Sequence, residues 1–110
     1  MSGTTALYLA LAILFELGWA VAMKLSQGFS RLGYSSATVV MYLLSVVFLG
    51  LATKKLDIGI AYAVWVGGGS VLICVAGMTY FREPVSAVKI FSLVLIVTGI
   101  VGLMLSRGGH

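Results

Sequence analysis

A single acidic residue, Glu16, lies within an otherwise uncharged apolar segment that runs from Met1 to Met23. A charged side chain at the centre of a lipid bilayer costs about 3 kcal/mol or more. A carboxyl group at that depth is therefore protonated, paired with a cation, or alternates between the two states. No basic residue lies at a comparable depth in the sequence to form a structural ion pair. We therefore take Glu16 as the candidate binding residue for both a proton and a cation.

Aromatic and hydroxyl side chains recur at a three-residue spacing, which places two side chains on one helix face about one turn apart. The pairs are Glu16 with Trp19, Tyr42 with Ser45, and Tyr62 with Trp65. Ring faces attract a desolvated cation by about 2 kcal/mol, and hydroxyl groups can orient a carboxylate. These residues predict a site for an organic cation. For Trp19, Tyr62 and Trp65, membrane-interface or packing roles explain the sequence equally well.

Competition between a proton and a cation at Glu16 predicts a mechanism. Removal from water favours the neutral form of a carboxyl group, and an adjacent cation favours the charged form. In a dimer, the two copies of this group would titrate as a coupled pair. A shared site that opens alternately to each side of the membrane exchanges protons for the cation. This mechanism needs no ATP, and the sequence predicts no cofactor and no metal site.

Charged residues divide the chain into four apolar runs. The chain is 61% hydrophobic and 9% charged, whereas a soluble domain is about 25% charged. A helix needs about 20 residues to cross the hydrocarbon core. We therefore predict an all-α membrane protein with a single four-helix transmembrane domain over residues 1–110. The predicted helices cover residues 4–24, 33–53, 58–81 and 85–106.

Two other interpretations of the composition fit less well. The segment Ala20-Val21-Ala22 resembles a signal-peptide cleavage site. However, no basic residue precedes the apolar segment, and Glu16 would interrupt it, so we expect this helix in the mature protein. The net charge of +4 suggests a nucleic-acid partner, but the basic residues are scattered at predicted membrane boundaries. We therefore expect no nucleic-acid partner. We expect membrane lipid to surround the helices.

The connections between the runs are short, which predicts antiparallel neighbouring helices. Gln27-Gly28 supplies a glycine that ends the first helix, and the polar segment 54–57 separates the second from the third. In the third connection, Pro84 suits the first turn of the fourth helix.

Basic residues are nearly balanced between the two sides of the predicted bundle. Four lie in the first and third connections and three lie on the opposite side: Lys24, Arg31, Arg82 and Lys89, against Lys54, Lys55 and Arg107. An excess of Lys and Arg on one side orients a membrane protein. Near balance makes both orientations accessible, and an antiparallel homodimer becomes possible. A single orientation set by other features remains the alternative.

Four helices are too few to enclose a polar pathway, so we expect the substrate site between two copies of the chain. Ser92 and Gly99 are seven residues apart on one face of the fourth helix, where small residues permit close helix–helix approach. We predict that they pack in the dimer. In the third helix, Gly67, Gly68 and Gly69 weaken the helix and predict a conformational hinge.

Three segments closely resemble the small multidrug resistance transporters, and the resemblance extends along essentially the whole chain. The segments are AILFELGW (12–19), KLSQGFSRL (24–32) and IGIAYAVW (58–65). The resemblance implies a four-helix protomer in the bacterial inner membrane, a dual-topology antiparallel dimer, and proton-coupled export of small organic cations. It also implies that Glu16 is the shared proton and substrate carboxylate, and that four further residues belong to the site: Tyr42, Ser45, Tyr62 and Trp65.

Marks of two branches of that family conflict in this chain. The Glu16-x-x-Trp19 spacing and the segment 82–84 (REP) resemble the guanidinium-exporting branch. A tyrosine at position 42 instead resembles the pattern of the quaternary-ammonium and multidrug branch.

Three positions depart from the family patterns. Ile13 and Met104 replace a glycine and a lysine of the guanidinium branch, and Val66 replaces a hydroxyl residue common to both branches. We therefore predict a proton-coupled exporter of hydrophobic or quaternary ammonium cations, with guanidinium compounds as the alternative substrates. An accessory or proton-conducting membrane subunit is the alternative from a different class.

Overall fold

The computed structural model describes residues 3–106, which form four α-helices and no strand within that range. The helices are α1 (Gly3–Leu25), α2 (Leu32–Ala52), α3 (Ile58–Thr79) and α4 (Ala87–Ser106). All four are long and apolar enough to cross a membrane. This confirms the predicted all-α architecture with four transmembrane helices. Of the basic residues counted above, Arg107 lies outside the described residues.

The start of α4 differs from the prediction that Pro84 lies in its first turn. Pro84 lies in the connection, and the helix begins at Ala87. The backbone N–H of Lys89 donates to Ser86 Oγ at 3.1 Å, and the N–H of Ile90 donates to the Ser86 carbonyl at 3.1 Å. A serine hydroxyl satisfies one of the free N–H groups at a helix start. Ser86, rather than Pro84, therefore sets where α4 begins.

The end of α3 comes at Thr79, two residues before the predicted position. The backbone N–H of Glu83 donates to the Gly77 carbonyl at 2.9 Å, and Arg82 adopts a positive φ of 55°. The Glu83 carboxyl group lies against Gly77, where a Cβ atom would overlap Glu83 Oε1. The chain therefore turns back over the last turn of α3, and Gly77 leaves room for it.

The three helices α1, α2 and α3 form the core. Their buried apolar residues make one cluster together with the α2–α3 connection, comprising Leu9, Ala12, Ala52, Leu56, Ile60, Ala61, Val64 and Trp65. The helix α1 packs against both α2 and α3, whereas α4 packs against α3 alone.

No residue of α4 is buried. The predicted dimer-packing residues Ser92 and Gly99 are both exposed, and nothing lies within 4 Å of the place where a Cβ on Gly99 would be. An apolar helix exposed on nearly every side is suited to lipid or to a second chain. Dimer formation through α4 stays a prediction.

Candidate functional site

Glu16 lies past the middle of α1 and is 7% exposed. Its carboxyl group lies on the backbone of α3 at Gly69, where a Cβ atom would overlap Glu16 Oε1. Within residues 3–106, Oε1 is buried and has no hydrogen-bond partner. A buried carboxylate without a partner is strongly unfavourable. The group is therefore suited to carry a proton or to receive a cation.

The other two glycines of the run Gly67–Gly69 face different neighbours. A Cβ on Gly67 would lie 2.8 Å from Ile100 Cδ1 of α4, and a Cβ on Gly68 would lie 3.2 Å from Ile13 Cδ1 of α1. Both neighbours are the ends of flexible side chains. The glycine run thus lets α1 and α4 approach α3 closely. The helix α3 continues through this run, and the conformational hinge at Gly67–Gly69 stays a prediction.

Ser45 joins three helices through one hydroxyl group. Its side chain is fully buried, Oγ donates to the Ala12 carbonyl at 2.6 Å, and Oγ accepts from Trp65 Nε1 at 2.9 Å. Ala12 precedes Glu16 by four residues, or about one helical turn. The single hydroxyl proton is used on Ala12. Ser45 therefore fixes Trp65 rather than hydrogen-bonding to the carboxyl group, which differs from the orienting role expected from the sequence.

The predicted aromatic residues form two edge-to-face pairs. The ring centroids of Trp19 and Tyr42 are 5.4 Å apart at 82°, and those of Tyr62 and Trp65 are 5.5 Å apart at 64°. Edge-to-face geometry is one of the two favoured arrangements of aromatic rings, the other being offset stacking. The structure thus brings α1 to α2 at the first pair and places the second pair on α3.

The exposure of these rings differs. Trp65 is 8% exposed, whereas Tyr42 is 45% and Tyr62 is 55% exposed. Trp19 Nε1 is buried and has no hydrogen-bond partner in the part of the chain that the structure describes. Neither tyrosine hydroxyl hydrogen-bonds to Glu16 in that part, so the predicted orienting role is not observed in one chain. The exposed rings of Tyr42 and Tyr62 are available to a substrate or a second protomer.

Two contacts of the site involve backbone groups that the sequence pattern did not indicate. The Ala12 carbonyl accepts the Ser45 hydroxyl, and the Gly69 backbone lies under the Glu16 carboxyl group. A carbonyl oxygen is present in every residue, so Ala12 gave no signal. The position of Gly69, four residues after Trp65, was the one available signal. Among residues 3–106, no three His, Cys, Asp or Glu side chains lie together as a metal site requires.

Comparison with known proteins is consistent with this membrane site. Residues 4–96 match the family model described as Small Multidrug Resistance protein. The chain is 48% identical to the uncharacterized membrane protein YvaE of Bacillus subtilis (strain 168), over 89% of this chain and 82% of that protein.

Two further relatives carry a functional name. The chain is 44% identical to the guanidinium exporter of Escherichia coli (strain K12), over 89% of this chain and 93% of that protein. It is 45% identical to the guanidinium exporter of Yersinia pseudotuberculosis, over 89% of this chain and 94% of that protein. These matches confirm the resemblance predicted from residues 12–19, 24–32 and 58–65. The chain belongs to the small multidrug resistance family and is a multi-pass transporter of the inner membrane, not an enzyme.

Proposed function

We propose that this chain exports small organic cations in exchange for protons, and that Glu16 binds both. The observation that carries the proposal is the buried Oε1 atom of Glu16, which has no hydrogen-bond partner within residues 3–106. Such a group is stable when a proton neutralises it or when a cation pairs with it. Because one group cannot do both at once, the movement of one ion is coupled to the movement of the other.

We infer that the functional unit of this transporter is an antiparallel homodimer. The helix α4 buries no residue in a single chain, and the rings of Tyr42 and Tyr62 are about half exposed. A second protomer would cover both surfaces and bring a second Glu16 into the site. Both orientations would be present in one membrane because the basic residues are nearly balanced between the two sides.

Guanidinium compounds are the first candidate substrates. Relatives that are 44% and 45% identical over most of their length carry the name guanidinium exporter. A guanidinium ion presents its N–H donors in a fork that matches a carboxylate. This chain offers such a carboxylate at Glu16, with Oε1 free to accept hydrogen bonds in the described structure.

Hydrophobic and quaternary ammonium cations, which the sequence favours, are the second candidate substrates. Around the glycine run, Ile13 and Val66 present apolar surface, and Tyr42 adds an aromatic ring against Trp19. A quaternary ammonium ion has no N–H donor, so a charge and ring faces are sufficient to bind it.

Solid-supported-membrane electrophysiology on the purified chain in proteoliposomes tests both the role of Glu16 and the class of cation transported. We expect guanidinium to give a transport current, a larger one than tetrapropylammonium at equal concentration, and Glu16→Gln to give none. A larger current with tetrapropylammonium would assign the second substrate class. Undiminished coupled transport by Glu16→Gln would overturn the shared-carboxylate mechanism. No current from the purified chain with any cation would favour an accessory subunit.

A further inference from the structure

A cavity lies away from Glu16, at the end of the bundle where α1 and α3 finish. Its volume is about 760 Å³, and it is formed by the last turn of α1, the α1–α2 connection and Phe81, just beyond α3. Two basic residues, Lys24 and Arg31, and two aromatic residues, Phe29 and Phe81, line it. A cavity at the end of a transmembrane helix lies at the level of the lipid headgroups.

The loop that forms this cavity is held in shape by Ser26, which is fully buried. Ser26 Oγ donates to the Met23 carbonyl at 2.6 Å and accepts from the Phe29 N–H at 3.0 Å. The Ser26 carbonyl accepts from the N–H groups of Ser30 and Arg31 at 3.0 and 3.1 Å. The cavity is therefore preorganised, and binding a ligand in it requires little ordering of the chain.

Three consecutive residues of this loop have positive φ angles: Gln27 at 51°, Gly28 at 73° and Phe29 at 66°. Such angles are uncommon for residues other than glycine, and they mark a site for a functional hypothesis when the surrounding structure maintains them. Here they accompany the exposure of Phe29, which is 57% exposed and lines the cavity.

The two basic side chains in the cavity have no acidic partner among the described residues. Lys24 Nζ lies 5.9 Å from the ring centroid of Phe81, within the range of a cation–π contact. Lys89, on the same side of the bundle, is engaged differently, because its Nζ donates to the Pro84 carbonyl at 2.7 Å. The cavity thus combines two positive charges with an apolar lining.

We propose that this cavity binds an anionic phospholipid, with the lipid phosphate at Lys24 and Arg31 and the start of an acyl chain against Phe29 and Phe81. The charges match the headgroup, the apolar surface matches the chain, and the position matches the depth of a headgroup. A free phosphate ion would leave the aromatic and aliphatic lining without a partner. The site is separate from Glu16 and does not depend on which cation is transported.

Native mass spectrometry of the purified protein with equal amounts of phosphatidylglycerol and phosphatidylcholine tests this proposal. We expect the wild-type protein to retain phosphatidylglycerol preferentially. In the variant Lys24→Gln/Arg31→Gln, the ratio of bound phosphatidylglycerol to bound phosphatidylcholine should fall by about five-fold for each charge removed. The matched control is Arg82→Gln/Lys89→Gln, which removes the same charge from the same side outside the cavity and should retain the preference.

Three results would overturn the proposal: no preference in the wild-type protein, equal losses in the two double variants, or displacement of phosphatidylglycerol by excess inorganic phosphate. The last result would assign the cavity to free phosphate. The variant Lys24→Arg/Arg31→Lys keeps both charges and should keep the preference, which separates lost charge from lost folding. Raising the salt concentration should weaken retention of phosphatidylglycerol by the wild-type protein and leave phosphatidylcholine unchanged.

Discussion

At the scale of single residues, the site depends on a carboxyl group that lies on a glycine. Glu16 of α1 contacts the backbone of α3 at Gly69. About one turn earlier on both α1 and α3, the Ser45 hydroxyl ties the Ala12 carbonyl to the indole N–H of Trp65. The first contact places the ionisable group, and the second fixes an aromatic ring near it. Three predictions separate these roles.

The pH dependence of cation binding tests competition at Glu16. If each cation displaces one proton, the affinity for the cation falls by about tenfold for each unit by which the pH is lowered, over the range in which the carboxyl group is protonated. It becomes independent of pH when the group is already ionised. Isothermal titration calorimetry in two buffers of different ionisation enthalpy measures the protons released. Binding without proton release at every pH would contradict the mechanism. Glu16→Gln should show no such pH dependence.

Replacing Gly69 by alanine tests whether cation binding depends on the contact between the Glu16 carboxyl group and Gly69. The new Cβ would occupy the place of Glu16 Oε1, so the carboxyl group must move. We expect Gly69→Ala to raise the KM for the transported cation by about tenfold, since a displaced group loses roughly 1.4 kcal/mol of binding.

Gly68→Ala is the matched control for that substitution. Its Cβ would meet the flexible end of Ile13 at 3.2 Å, and a small side-chain shift relieves the contact. Both variants gain the same helix propensity, about 1 kcal/mol relative to glycine. Equal effects of Gly68→Ala and Gly69→Ala on KM would show that helix stiffness, rather than the position of the carboxyl group, governs binding.

A double-mutant cycle tests the link between Ser45 and Trp65. Ser45→Ala leaves the buried indole N–H without an acceptor, which costs about 1–3 kcal/mol. Trp65→Phe removes the donor, so Ser45→Ala should cost less in that background. Unfolding in mixed micelles of a mild detergent and dodecyl sulfate measures the free energy of unfolding of the wild type, the two single variants and the double variant. Additive effects, with no coupling free energy, would indicate that the 2.9 Å hydrogen bond contributes nothing.

At the scale of elements, the four helices divide into a packed group and an exposed one. The helices α1, α2 and α3 share the buried cluster, whereas α4 contacts α3 alone and buries no residue. A helix with so little contact in its own chain is the element best placed to join another chain.

Substitution in α4 tests that role. Gly99→Leu adds a large side chain at an exposed position with nothing within 4 Å, and we expect it to weaken dimer formation through small-residue contacts. Gly50→Leu is the matched control, because Gly50 in α2 is also an exposed helical glycine with nothing within 4 Å. Analytical ultracentrifugation in detergent measures the dimer fraction. An unchanged fraction in Gly99→Leu would place the interface elsewhere.

At the scale of the whole molecule, we predict that orientation in the membrane depends on a small difference in charge. The topology predicted from the sequence places four basic residues on one side and three on the other. Because an excess of Lys and Arg is what orients a membrane protein, a small added charge should be decisive.

Two additional lysines in the connection beside Lys54 and Lys55 should bias insertion toward one orientation. The chain has a single cysteine, Cys74, so a Cys74→Ala background allows labelling of one cysteine introduced in a loop. Accessibility from each side of the membrane measures the two orientations. We expect labelling from both sides before the lysines are added and mainly from one side afterwards. Labelling from one side only before the lysines are added would refute dual topology, and an unchanged ratio afterwards would show that the charge balance does not set the orientation.

Several features followed from the sequence because they depend on local properties of the chain. Apolar runs between charged residues indicated four transmembrane helices, and the isolation of Glu16 in one run made it the candidate central residue of the site. Three segments pointed to the family, which the comparisons confirmed. The boundaries near Pro84 were wrong by two residues at each helix end, since the Ser86 cap and the turn over Gly77 decide them.

Only the tertiary structure decided what surrounds Glu16. The spacing along each helix placed Ser45 and Trp65 on suitable faces, but it did not reveal that they hydrogen-bond to each other. It also did not show that the carboxyl group lies on Gly69, or that Lys24 and Phe81 line one cavity. These contacts depend on the distances between helices and on backbone atoms. Because every residue has the same backbone atoms, the residue types in the sequence do not predict such contacts.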